Sequence, residues 1–185
     1  MIQFKTKSAS LVSALLCVLA TPVLAEDSGG VNDRAATGLT GYQETPQAVN
    51  TSGTGEFFIH IHPNRTALDY ELRYRNLTGV TQAHIHFGRP AISGGIVLFL
   101  CSNLAPPANV PAPQPCPASE GIVTGTLTAA NIVAQTAQGI AASNAGFAAV
   151  LQAITEGATY ANVHTTGFPS GEIRGVLVSR GPFFN

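Results

Sequence analysis

The sequence predicts an all-β protein, a Greek-key sandwich or barrel with a short helical insertion. Apolar and polar residues alternate with period two, as in GEFFIHIH (55–62) and ALDYELRYR (67–75). Strand-like runs recur with turn residues between them, in a chain of 185 residues that holds 19 glycines and 12 prolines. Helical spacing of apolar residues is confined to residues 128–157. A chain of this length buries a core without help from a metal.

The elements follow in order. Residues 38–42 read as a first strand, and ETPQAVNTSG after them as a turn-rich connection. Residues 55–62 place Phe57, Ile59 and Ile61 on one face and Glu56, Phe58, His60 and His62 on the other. Residues 63–65 turn the chain into 67–75, where Leu68, Tyr70, Leu72 and Tyr74 face the core. Residues 82–87 form the next strand, and GIVLFL (95–100) is apolar throughout, the pattern of a buried strand. After a strand at 121–127, Thr128 caps a short helix to about residue 137. Ser143 or Asn144 caps a second helix, with Phe147, Val150, Leu151 and Ile154 at helical spacing and Gly157 at its end. Residues 159–165 and 172–179 are the closing strands.

Residues 1–25 read as a secretory signal peptide. Lys5 and Lys7 supply its positive end, LVSALLCVLA (11–20) its apolar stretch, and Val23 and Ala25 the cleavage site. The apolar stretch is too short for a membrane span, and Pro22 interrupts it. Cleavage there leaves seven arginines, no lysine and ten acids, a mildly acidic chain without a polybasic patch. Nucleic acid and membrane surfaces are therefore excluded as expected partners, and no particular protein partner is indicated. Residues 26–37 are polar and aperiodic, a flexible leader to a single domain over 38–185. Export places the protein outside the cell or in the periplasm.

Cys101 and Cys116 remain after cleavage, flanking a proline-rich segment. An even pair in an oxidising compartment is most simply a disulfide. The competing readings are a metal–thiolate pair or a redox couple, which a fifteen-residue spacing does not favour.

All five histidines, His60, His62, His84, His86 and His164, fall on expected strands. Residues two apart on a strand project to one face about 7 Å apart, so a His-x-His pair can chelate one ion. His84 and His86 end at the Gly88-Arg89-Pro90 turn, and His164 stands beside a second Gly/Pro turn. Three imidazoles from two strands suit copper or zinc, with affinity falling as the pH approaches the ordinary histidine value of about 6.5. His60 and His62 form a possible second metal pair, although their face is free simply to meet solvent. The alternative for every one of these histidines is a solvated or hydrogen-bonded side chain.

The segments LTGYQETP (39–46), AHIHFGRP (83–90), GIVLFLC (95–101) and YANVHTTGFPSGEIRGVL (160–177) together resemble the chordin-type (CHRD) domain family, whose secreted bacterial members share this layout. The resemblance covers about residues 38–179. It implies an immunoglobulin-like β-sandwich, distantly similar to Cu/Zn superoxide dismutase, and no settled activity. Carried over residue by residue, the dismutase likeness makes His84, His86 and His164 copper ligands and Arg174 an anion guide. Arg174 equally reads as a structural arginine paired with Glu172 or a carbonyl. Residues 87–163 hold no histidine, so neither a bridging ligand nor a histidine-rich zinc loop is present, and only a mononuclear site is implied.

No G-x-S-x-G elbow, phosphate loop or dinucleotide fingerprint occurs, and nothing marks Glu44, Glu56 and Glu172 as a catalytic acid pair. The leading expectation is a secreted or periplasmic, non-catalytic binding module with a mononuclear copper or zinc site. The alternatives are a copper-dependent redox enzyme of dismutase type and a metal-free structural or protein-interaction domain.

Overall fold

Period-two patterning sets the register of the first hairpin. In the computed structural model, which describes Met1, residues 33–105 and residues 108–180, β2 (Thr54–Ile61) pairs antiparallel with β3 (Ala67–Arg75). Phe57 lies opposite Leu72 and Ile59 opposite Tyr70, so the apolar set of each strand shares one face. β1 (Arg34–Thr40) adds to β2, and β6 (Gly121–Thr128) adds to β3. These four strands make one layer of the structure.

The second layer runs β5 (Gly95–Ser102), β4 (Val80–Phe87), β7 (Thr159–Thr165) and β8 (Ile173–Val176). It joins the first where Arg174 of β8 pairs with Thr40 of β1. The full order is β5-β4-β7-β8-β1-β2-β3-β6, with β9 (Val178–Arg180) on the far end of β1. The sheet thus folds over on itself into a near-barrel sandwich. Phe57, Leu72, Ile85, Leu98, Val163 and Ile173 are fully buried between the layers. Tyr70 spans them, its hydroxyl donating to the Leu100 carbonyl at 2.6 Å. Cys101 and Cys116 form a disulfide that ties β5 to the segment before β6. Among the described residues, no helix is long and apolar enough to cross a membrane.

α1 (Asn144–Thr155) matches its expected caps: Ser143 accepts from the Gly146 amide, and Gly157 ends the helix at φ +66°. It buries Phe147, Val150, Leu151 and Ile154. The helix expected over 128–137 does not form, and two 3-10 turns, Ala129–Asn131 and Thr136–Gln138, stand in its place. Thr128 and Asn131 do form a reciprocal capping box. The chain then leaves the helical path because its polar groups are drawn to the open edge of β5. The Val133 amide donates to Val97, the Gln135 side chain donates to Ile96, and the Gly95 amide donates to Gln138. A free strand edge is thereby covered.

Two boundaries also differ from expectation. The first strand starts at Arg34 and ends at Thr40, rather than spanning 38–42, so residues 34–37 of the expected leader belong to the sheet. Ala35-Ala36-Thr37 carries no legible alternation, and pairing to β2 and β9 decides its structure. The last expected strand divides at Leu177, where the chain changes partner from β7 to β1. Beyond Met1, the expected signal segment lies outside the described residues.

Candidate metal centre

On β4, Ala83 and Ile85 point into the core, which sends His84 and His86 to the outer face. On β7, Ala161 and Val163 point inward, and Tyr160, Asn162 and His164 go outward. Register sets them side by side: Gln82 opposite His164, His84 opposite Asn162, His86 opposite Tyr160. An outer face of a two-layer sandwich is ordinarily wet, and this one is covered. The loops at 44–46 and 89–94 meet over it, where Thr45 and Ser93 are hydrogen-bonded.

Arg174 fastens those loops. It is 2 % exposed, and its guanidinium lies 3.5 Å from the centre of the Tyr160 ring. It donates to the Thr45 hydroxyl and to the carbonyls of Ile92 and Arg89. Of the two expected partners it therefore takes carbonyls and not Glu172. Glu172 instead accepts from Thr51 at 2.6 Å and Thr165 at 2.7 Å. Glu44 accepts from the Asn162 side chain, and burial pushes its carboxyl up to about 7 against the pull of Asn162 and Arg174. Gly171, at φ +127°, passes so close that a Cβ there would meet the Asn162 amide and Glu44 carboxylate at 2.6–2.8 Å. Glu56 is exposed on β2, apart from these two buried acids.

The structure brings His84, His86 and His164 together. Their ring centroids are 4.9–6.1 Å apart, and one ligand nitrogen from each lies within 4.8 Å of the others. Three nitrogens about 2 Å from one ion stand roughly 3.5 Å apart, so small ring rotations would close the set. Phe99 packs edge-on against His84 at 4.4 Å, and Tyr160 stacks on His86 at 4.7 Å.

Hydrogen bonding aims two of the rings. His86 Nδ1 lies 3.0 Å from the Gly94 carbonyl, and His164 Nδ1 lies 3.0 Å from that of Pro169. Each contact makes Nδ1 the donor and leaves Nε2 with a free lone pair, the arrangement in which a second partner orients a ligating imidazole. Both Nε2 atoms are buried with no hydrogen-bond partner, and so are both ring nitrogens of His84. Four orphaned nitrogens in one cluster are costly, since each forfeits about 1–3 kcal/mol. His164 is partly exposed as a residue even though its Nε2 is closed off.

Burial holds all three imidazoles neutral. Desolvation, then the neighbouring rings, pulls His84 down to about 2. Desolvation also lowers His86 to about 4 and brings His164 below its ordinary value. Each of the three rings therefore favours the neutral, lone-pair-bearing form more than a free histidine does.

His60 and His62 do not join the cluster. They face outward on and just past β2, where His62 Nε2 lies 2.9 Å from Asp69 Oδ2 and His60 lies 3.8 Å from Asp33. Hydrogen bonds from Thr126 and His62 hold the Asp69 carboxyl below its usual range. Sequence reasoning missed Tyr160 and Asn162, which a period of two counted back from His164 would have placed on the ligand face. It had no signal for Phe99 or for the Gly94 and Pro169 carbonyls, which depend on tertiary folding.

A family model described as CHRD domain matches residues 35–177. No curated protein and no solved structure matches the chain.

Proposed function

The chain belongs to the CHRD domain family, and on that premise we propose that it is an exported, non-catalytic β-sandwich module holding one copper ion, or zinc, on His84, His86 and His164. One observation carries the reading: four buried imidazole nitrogens lack any partner, within three residues whose ligand atoms lie within 4.8 Å. A metal would satisfy lone pairs that the protein leaves unused. The distant likeness to the copper ligands of superoxide dismutase agrees with copper, and the divalent order places Cu²⁺ above Zn²⁺ at an imidazole site. The disulfide and the signal-like first 25 residues agree with export.

The redox-enzyme alternative wants a cationic side chain exposed to steer an anion. Arg174 is buried, with donors turned to Thr45, Arg89 and Ile92, which weighs against that role. The metal-free alternative wants histidines that hydrogen-bond, and the orphaned nitrogens weigh against it.

Calorimetric titration of the untagged, metal-free chain is the test. One copper per chain is expected. His164→Ala should lose affinity by about 10³-fold, the share of one ligand in a three-ligand site. His60→Ala should bind as the wild type does. Affinity should fall with acid later than free imidazole would dictate, because burial lowers all three rings below the ordinary histidine value. Equal losses in the two variants, or a steep fall beginning at pH 6.5, would contradict the assignment.

A further inference from the structure

We infer that the centre selects copper(I) over copper(II) and zinc(II); the inference rests on the metal reading of His84, His86 and His164. The donor set carries no charge: among the described residues, the one cluster with metal-binding geometry is three histidines, with neither a carboxylate nor a thiolate. The surroundings add no net negative charge, since the cationic Arg174 lies near Glu44, whose carboxyl is less readily ionised than usual. The near walls are the Phe99 and Tyr160 rings. The self-energy of an ion in such a medium grows with the square of its charge. A dication therefore carries about four times the burial penalty of a monocation, with no anionic ligand to offset it.

Coordination number points the same way. Zinc(II) takes four ligands, and copper(II) a tetragonal set. Three protein donors would leave each with positions for water, yet the orphaned nitrogens are sealed from solvent and His84 is 1 % exposed. Copper(I), a closed-shell ion, is content with three donors in a plane. Imidazole is not especially soft, so the preference comes from charge and ligand count.

Anaerobic competition titrations on the full chain read this directly. Bicinchoninate sets the free copper(I) level, and nitrilotriacetate sets copper(II) and zinc(II). Copper(I) should bind more tightly than either dication by about 10²-fold or more. Ascorbate added to the copper(II)-loaded chain should leave one copper bound and abolish its electron paramagnetic resonance signal. His84→Leu, checked for folding by thermal melting, should lose both oxidation states. Copper(II) or zinc(II) binding as tightly as copper(I) would overturn the selectivity and leave the metal reading standing. No binding of any of the three ions would overturn both.

Discussion

Replacing His84 with leucine should raise the melting temperature of the metal-free chain and sharply weaken its copper binding. His84 is 1 % exposed, and neither ring nitrogen finds a partner. Each orphaned polar atom costs about 1–3 kcal/mol, while leucine fills a similar volume against Phe99 without that penalty. A net gain of about 2 kcal/mol corresponds to roughly 4–8 °C in a chain of this size. Copper affinity should fall by about 10³-fold, since one of three ligands is gone. Opposite signs for stability and binding mark a side chain kept for its ligand chemistry. Differential scanning calorimetry with a copper titration on the same sample measures both. A lower melting temperature with affinity retained would make His84 a packing residue.

The second large effect is expected at the disulfide. Cys101 and Cys116 are 15 residues apart and buried, joining the end of β5 to the segment that leads into β6. Replacing both with alanine frees a loop of that length in the unfolded chain and should cost about 3 kcal/mol. The melting temperature should drop by about 6–12 °C. Part of the loop stays anchored without the bond, because Asn103 donates to the Val80 and Cys116 carbonyls and accepts from the Cys116 amide. Copper affinity should stay within a few-fold of wild type, since the bridge touches none of the three histidines. An unchanged melting temperature would contradict the stabilising role.

Where side-chain pattern alone determines structure, the sequence is legible. The hairpin of β2 and β3 alternates cleanly, and its two apolar faces meet as read. The same rule puts His84 and His86 on one side of β4, with Ile85 in the core. Reading fails where a partner decides. Ala35 and Ala36 become strand because β2 and β9 lie on either side of them. Residues 128–137 begin as a capped turn and then give their amides and side chains to the edge of β5. The centre divides in the same way: His-x-His and a later strand histidine are visible in one dimension. The cover beside His86 is not, because the 89–94 loop is held by Arg174 reaching carbonyls more than eighty residues away along the chain. An outer sheet face that is ordinarily wet here holds buried, unpartnered nitrogens.

X-ray absorption at the copper edge of the loaded chain tests the central claim most directly. Three imidazole nitrogens about 2 Å from a single copper, with the multiple-scattering pattern of histidine rings and no sulfur shell, are the predicted result. One imidazole or none, or a coordination shell dominated by oxygen or sulfur, would contradict it.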